Sequence, residues 1–251
     1  MVSRLLILLY AIVSYGVFLV SFLYGLGFFS NTFVPKSIDV GGGPSQLGES
    51  IATNLVLLGI FAIQHTIMAR SLFKQWWAKN LPVALQRSTY VLLSSLILLL
   101  LFWLWQPIPA PIWKVDGIAG SLLTGIYWFG WLLALISTYM IDHFELFGLR
   151  QASLSLRGAN DSNQKFKTPL LYKIVRHPLM LGFLLAFWAT PEMTFGHLLF
   201  AITITIYIFV GVQFEERDLI VQFGTNYKEY RQRVPMFLPR IFGRRKAGAA
   251  Q

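Results

Sequence analysis

The sequence RHPLMLG at positions 176–182 opens an apolar segment that runs to about residue 190. Pro178 suits the first position of a helix, because the N–H that proline lacks would have no partner there. Arg176 and His177 lie at the mouth of that segment, where polar residues are costly to keep and are therefore candidates for function. Together with the unpaired N–H groups of a first helical turn, these two side chains predict a binding site for an anionic group.

The composition around this stretch is that of an integral membrane protein. Of the 251 residues, 55% are hydrophobic and 13% are charged, and the mean hydropathy is +0.59. The chain has no cysteine, which excludes disulfides, thiolate metal ligands and a cysteine nucleophile. Four histidines are spaced without any zinc-binding pattern, so we expect no metal.

Long apolar runs predict an all-α integral membrane protein with a bundle of about five to six transmembrane helices. Four spans are expected at about 5–29, 51–68, 88–105 and 118–141, with a flexible glycine-rich connector at 40–45. The apolar run 179–214 is too long for one ordinary span, and Pro191 interrupts it. It therefore predicts a C-terminal helical hairpin, with arms at 179–190 and 196–214.

The basic residues predict the orientation of the chain. With the N-terminus inside, 19 of the 21 Lys and Arg fall in inside segments, and Lys36 and Lys114 fall outside. This asymmetry satisfies the positive-inside rule and predicts a multi-pass protein of the cell inner membrane with both termini in the cytoplasm. The net charge of +10 then reflects topology and attraction to anionic membrane lipids, and we expect no nucleic-acid partner.

This orientation gathers the unusual ionisable residues at the cytoplasmic face. They are His65, Asp142, His143, Glu145, Arg176, His177, Glu215, Glu216, Arg217 and Asp218. Carboxylates at the end of a membrane helix need partners, which Arg176, Arg217 or a cationic ligand would supply. Further on, Gly224 predicts a helix end, and Tyr227 and Tyr230 would share one face of a short helix that follows. The alternative for that segment is an interfacial helix with tyrosine anchors and charges that neutralise one another.

The order of these motifs resembles that of a family of membrane methyltransferases. RHPxxxG, an apolar hairpin, EE and then FGxxYxxYxxxVP, within about 164–239, are similar to the isoprenylcysteine carboxyl methyltransferase family, to which phospholipid methyltransferases and NnrU-like proteins are related. Over most of the chain, QHTIMAR (64–70), RSTY (87–90), DHFELFGLRQ (142–151) and FWATP (187–191) resemble the bacterial methanethiol S-methyltransferases. Those enzymes convert methanethiol to dimethyl sulfide with S-adenosyl-L-methionine.

The resemblance implies a site for S-adenosyl-L-methionine. The residues that it assigns to cofactor binding are Phe166, Lys167, Tyr172, His177, Pro178, Leu179, Met180, Glu215 and Glu216. Met180 stands where the family usually has a tyrosine. Gly211 stands where the prenylcysteine enzymes have an arginine that handles the substrate, which argues against a prenylcysteine carboxylate and favours a smaller uncharged or thiol acceptor. On this basis, a single membrane domain 1–251 would comprise a four-span part, 1–141, and a cofactor-binding part, 142–251.

Thiol chemistry suggests the catalytic residues. A histidine near the thiol would take its proton, and Arg176 would lower the pKa of the thiol. His65 and His143 are the candidate bases, and His65, Asp142 and Glu145 are the candidate substrate contacts. The alternative for each histidine is a structural hydrogen bond between helices.

The sequence therefore predicts an S-adenosyl-L-methionine-dependent methyltransferase acting on a small volatile thiol, with no obligate protein partner. Three alternatives stay open: a methyltransferase for another thiol or a lipid, a membrane NAD(P)H-dependent reductase, and a non-enzymatic NnrU-type protein. A transporter is disfavoured, because the ionisable residues gather at one face and not at the midplane.

Overall fold

The computed structural model describes residues 2–43, 46–159 and 166–239. In chain order its elements are α1 (Val2–Ser30), α2 (Leu47–Ala69), α3 (Ser71–Ala78), α4 (Val83–Leu104), β1 (Pro111–Lys114), α5 (Gly117–Ile141), α6 (His143–Leu146), α7 (Leu149–Arg157), a 3₁₀ turn (Leu170–Lys173), α8 (Pro178–Trp188), β2 (Glu192–Thr194), α9 (Phe195–Phe223) and α10 (Thr225–Arg233). The end of the predicted connector at 44–45 and the predicted cytoplasmic residues 160–165 and 240–251 lie outside the described residues.

Five helices of the described chain are long and apolar enough to cross a membrane: α1, α2, α4, α5 and α9. They confirm the all-α membrane class and the four spans predicted before residue 142. The first arm of the predicted hairpin is α8, which has 11 residues. A helix of that length rises about 16 Å, roughly half the thickness of the hydrocarbon.

The predicted end of the second hairpin arm at residue 214 is wrong. Helix α9 continues for nine more residues to Phe223, so that Glu215 and Glu216 lie inside the helix. The change to polar residues marks where the apolar run ends. Glu and Arg are good helix formers, so the helix itself continues. The later expectations are confirmed, because α9 ends before Gly224 and α10 carries Tyr227 and Tyr230, both buried.

A small antiparallel pairing of β1 with β2 was not predicted. It joins the connection between α4 and α5 to the connection between α8 and α9, and the N–H of Val115 donates to the carbonyl of Pro191 at 2.8 Å just beyond it. Strands of four and three residues are too short to show an alternating pattern in the sequence. The pairing fixes the end of the hairpin opposite His177.

Helices α5 and α8 cross in very close contact. A Cβ atom at Gly182 would lie 2.6 Å from the carbonyl oxygen of Gly130 and 2.7 Å from the nitrogen of Ala134. Gly130 with Ala134 and Gly182 with Ala186 are small residues four apart, a spacing that allows membrane helices to approach closely. This crossing places α8 against a largely aromatic core, whose buried members include Phe28, Phe102, Trp105, Trp131, Phe187 and Phe200.

Candidate active site

The chain after α10 holds the segment that precedes α8. The N–H of Arg176 donates to the carbonyl of Pro235 at 2.8 Å, and the N–H of His177 donates to that of Met236 at 3.2 Å. His177 is the residue before the first helical turn, and Pro178 follows it as the sequence predicted. The imidazole is therefore fixed between a helix start and the C-terminal segment.

Arg176 and His177 both bind Glu216 of α9. The Nε of Arg176 lies 2.7 Å from Oε1 of Glu216, and Nε2 of His177 lies 3.1 Å from the same oxygen. The side chain of Glu216 is 3% exposed and that of Arg176 is 9% exposed. Arg176 also donates to the carbonyls of Arg231 and Val234. These contacts engage the guanidinium and the Glu216 carboxylate, and Glu216 holds the imidazole of His177. The catalytic role of Arg176 and the cofactor-binding role of Glu216 stay predictions.

Glu215 has a different environment from its neighbour. Its side chain is 51% exposed, and its Oε2 lies 3.6 Å from Nδ1 of His177. Tyr90, Tyr172 and Tyr227 lie close enough for the charge of this carboxylate to oppose their ionisation. Successive helical residues point about 100° apart, which explains how one glutamate is buried and the next is accessible. Glu215 is therefore the carboxylate that a ligand can reach.

Tyr172 lies on the 3₁₀ turn before α8. Its hydroxyl is 3.5 Å from the carbonyl of Ser137 in α5, and its own carbonyl accepts a hydrogen bond from the hydroxyl of Tyr230 at 2.5 Å. Burial, and then the charge of Glu215, raises the pKa of the Tyr172 hydroxyl. Burial likewise raises the pKa of Tyr230 to about 12. Both phenols therefore stay protonated at neutral pH and act as hydrogen-bond donors.

The other predicted cofactor residues differ in their surroundings. Phe166 packs against Phe223, Tyr227 and Tyr230, with ring centroids 5.3–5.9 Å apart. Lys167 is exposed, and Leu179 is half-buried. Met180 packs against the apolar core of the bundle, so at this position the chain offers a flexible apolar side chain in place of a phenol.

His65 lies on α2, where its side chain faces α4. The hydroxyl of Tyr90 on α4 is 2.8 Å from its Nε2, and its ring stacks on Phe61 with a centroid distance of 5.3 Å. One turn before Tyr90, the guanidinium of Arg87 is 5.4 Å from the Tyr90 ring, and its Nε donates to the carbonyl of Leu146 at 2.6 Å. Arg87 thereby links the start of α4 to the segment that carries His143.

His143 belongs to a second cluster, formed by α1, α5, α6 and α7. Its Nε2 lies 2.8 Å from the hydroxyl of Tyr15, its Nδ1 lies 2.7 Å from that of Thr138, and its ring stacks on Tyr139. Burial lowers the pKa of His143, although the charge of Asp142 opposes this shift. Each ring nitrogen thus has a hydroxyl partner, and the roles of His143 as a base or as a structural residue both stay predictions.

Asp142 and Glu145 form ion pairs with Arg150. Nη1 of Arg150 lies 2.5 Å from Asp142 and 2.9 Å from Glu145, and Asp142 also accepts a hydrogen bond from the N–H of Glu145 at the start of α6. These contacts stabilise the turn between α5 and α7. Asp142 and Arg150 also line a cavity of about 550 Å³, and the role of both carboxylates in binding substrate stays a prediction.

Arg87 and Tyr90 lie beside His65, a candidate base, although the sequence did not predict a role for either. Both belong to the RSTY motif at 87–90. Their spacing of three residues places both on one face of α4, next to a histidine on the neighbouring span. That spacing was the signal that pointed to them.

Comparisons with known proteins identify the relatives of the chain. No family model and no solved structure matches it. Methanethiol S-methyltransferase 2 of Bradyrhizobium diazoefficiens is 68% identical over 98% of this chain and 95% of its own length. Methanethiol S-methyltransferase of Mycobacterium tuberculosis is 52% identical over 94% of this chain and 97% of its own length. The chain belongs to the methanethiol S-methyltransferase family.

A more distant likeness extends beyond the methanethiol S-methyltransferase family. Nurim of Sus scrofa is 30% identical over 67% of this chain and 68% of its own length. The matches to the methanethiol S-methyltransferases cover the whole region from His65 to Glu216 at much higher identity. Full-length similarity of this kind confirms the family resemblance predicted from the sequence motifs.

Proposed function

We propose that this chain transfers a methyl group from S-adenosyl-L-methionine to methanethiol, giving dimethyl sulfide. The observation that carries the proposal is the accessible carboxylate of Glu215 beside the fixed imidazole of His177, in a chain of the methanethiol S-methyltransferase family. Neither the reductase nor the non-enzymatic alternative has a comparable observation in its favour.

The residues around Glu215 suit S-adenosyl-L-methionine. A half-exposed carboxylate pairs with a ligand ammonium or accepts hydrogen bonds from ribose hydroxyls, and the phenol of Tyr172 donates to polar ligand atoms. Tyrosine rings near Glu215 stabilise a cation through their faces. When bound, S-adenosyl-L-methionine supplies an electrophilic methyl group on a positively charged sulfur.

The positioning residues follow from the ion pairs. Glu216 and Arg176 hold His177, so that its Nδ1 faces Glu215. Met180, near the start of α8, packs against the apolar core of the bundle. A reaction between a thiolate and a cation cancels opposite charges, and an apolar surrounding favours it.

We also propose that the chain lies in the inner membrane with both termini in the cytoplasm. The segment from Phe195 to Glu215 rises about 30 Å, the thickness of the hydrocarbon, which would set Glu215 at the membrane boundary. Because the chain has no cysteine, a single introduced cysteine is the only thiol of the chain that a maleimide can label. In spheroplasts, an impermeant maleimide should label Lys36→Cys and Lys114→Cys, and should label Lys79→Cys after lysis only. The reverse pattern would refute this orientation.

The activity is tested with the purified protein in lipid vesicles, given methanethiol and S-adenosyl-L-methionine, with headspace analysis for dimethyl sulfide. We expect product that depends on both compounds, with equal activity in the exposed-site control Glu229→Gln. A protein that binds S-adenosyl-L-methionine in calorimetry and yields no dimethyl sulfide would refute the acceptor. A folded protein that does not bind it would refute the donor.

A further inference from the structure

A hydrogen-bonded tyrosine and histidine, Tyr90 and His65, lie beside α9, the helix that carries Glu215. The Tyr90 hydroxyl on α4 is 2.8 Å from Nε2 and 3.1 Å from Nδ1 of His65 on α2, and both side chains are partly buried. A phenol that donates to an imidazole can take up a proton from a third group while its own proton passes to the ring nitrogen. The pair is therefore suited to removing a proton from a weakly acidic group.

One face of α9 leads from this pair to Glu215. Tyr207, Gly211 and Glu215 are spaced by four residues and share that face. The hydroxyl of Tyr207 lies 3.2 Å from that of Thr66, next to His65. A Cβ atom added to Gly211 would meet no atom within 4 Å. This face thus has Tyr207, beside His65, at one end and Glu215 about 12 Å further along the helix, and Gly211 leaves the face without a side chain between them.

The charges near Tyr90 favour an anion. The Arg87 guanidinium is 5.4 Å from the Tyr90 ring, and Lys74 of α3 adds a second positive charge close to Arg87. The groups that face the pair or Arg87 from the elements packed around them are Lys74, Glu145, Tyr207 and Glu215. Glu145 is itself paired with Arg150. The side chains of α3 and α4 near Tyr90 therefore carry a net positive charge, and the Glu215 carboxylate of α9 carries the negative charge.

We propose that Tyr90, His65 and Arg87 form the acceptor subsite and generate the thiolate; this inference rests on the proposed function. The thiol S–H gives its proton to the Tyr90 oxygen as the Tyr90 proton passes to His65. The acceptor sulfur then forms a bond to the methyl carbon, and the bond from that carbon to the donor sulfur breaks with its electron pair on the donor sulfur, which becomes neutral. His65 returns the proton to water. Arg87 stabilises the thiolate before the transfer.

The test compares two small thiols that differ in acidity, methanethiol and 2,2,2-trifluoroethanethiol, whose fluorines make its thiolate easier to form. For Tyr90→Phe we expect kcat/KM with methanethiol to fall about 100-fold or more, the range for loss of general acid–base catalysis. The fall with the acidic thiol should be at least about 10-fold smaller, because its proton is lost without help. Affinity for S-adenosyl-L-methionine, measured by calorimetry, should stay within about twofold.

A second variant pair tests the charge. Arg87→Gln should move the rise of kcat/KM for methanethiol to higher pH by about one unit, because a nearby cation lowers the pKa of an acid. Arg87→Lys keeps the charge and should restore most of the profile. Tyr10→Phe is the matched control, since it removes a hydroxyl that donates to Thr89 at 3.0 Å, next to Tyr90, and it should alter neither thiol preference nor pH profile.

The outcomes separate this inference from the proposed function. Equal losses for both thiols in Tyr90→Phe, no loss at all, or a loss that tracks weaker donor binding would overturn the acceptor subsite while the methyltransferase activity of the unaltered chain still stands. An unaltered chain that methylates neither thiol would overturn the proposed function, and this inference with it.

Discussion

The same substitution at the two adjacent glutamates of α9 should lower stability at Glu216 and donor affinity at Glu215. Glu216→Gln removes the charge that Arg176 and His177 share, at a carboxylate that is 3% exposed. Removing one partner of a buried ion pair costs about 3–5 kcal/mol. The Arg176 guanidinium keeps two backbone carbonyls as acceptors, so we expect a loss of about 3 kcal/mol, at the lower end of that range.

Glu215→Gln changes a side chain that is 51% exposed. Its cost in stability should be below about 0.5 kcal/mol, as for most surface substitutions. Its effect on donor binding should be large, because a charged partner of a cationic ligand is lost. A charge-assisted hydrogen bond contributes about 1.5–3 kcal/mol, so affinity for S-adenosyl-L-methionine should fall by about 10-fold or more.

The assay measures unfolding of both variants in the same detergent and donor binding by calorimetry. Glu216→Gln should have a lower free energy of unfolding than the unaltered chain. Glu215→Gln should have a lower affinity for S-adenosyl-L-methionine than the unaltered chain. If both variants lose the same stability, or if Glu215→Gln binds the donor normally, the assignment of one glutamate to structure and the other to the ligand is refuted.

Three further predictions concern other parts of the molecule. Gly182→Val should destabilise the chain by about 1–3 kcal/mol in the same unfolding assay, because its Cβ would lie 2.6 Å from the carbonyl oxygen of Gly130; Gly125→Val, where a Cβ meets nothing within 4 Å, should not show this loss. Gly211→Ala should fold normally and lower the kcat/KM of ethanethiol more than that of methanethiol. Gly125→Ala should leave the ratio of the two kcat/KM values unchanged. An unchanged ratio in Gly211→Ala would contradict an acceptor site beside Gly211. Burial lowers the pKa of His143, so its contribution to stability is present above its unfolded pKa of about 6.5 and is lost as the pH falls through its lower folded pKa. As the pH is lowered from about 7.5 to about 5, the free energy of unfolding should therefore fall more steeply for the unaltered chain than for His143→Asn. Parallel pH dependences for the two proteins would contradict this role of His143.

The membrane spans could be predicted because each is a long apolar run with clear limits. The exception, α9, shows what hydropathy cannot supply. The run of apolar residues ends at 214, whereas the helix ends at Phe223, since backbone hydrogen bonding continues through polar helix formers. The β1–β2 pairing depends on two connections about 80 residues apart in the chain, and such short strands carry no periodic signal.

The candidate site could be predicted as a set of residues but not as an arrangement. The sequence indicated that Arg176, His177, Glu215 and Glu216 belong together. It gave no means to see that Arg176 is engaged by Glu216 and by two carbonyls near the C-terminus. Nor did it show which of two neighbouring carboxylates is buried, because this depends on the rotation of α9 against α8.

The most direct test of the central claim follows an isotopically labelled methyl group. The purified chain in lipid vesicles is given methyl-labelled S-adenosyl-L-methionine and unlabelled methanethiol, alongside Glu215→Gln and the control Glu229→Gln. We predict dimethyl sulfide with one labelled methyl group from the unaltered chain and the control, and a loss of at least about 10-fold in folded Glu215→Gln at donor concentrations below its Kd. Dimethyl sulfide without label, or full activity in Glu215→Gln, would contradict the account.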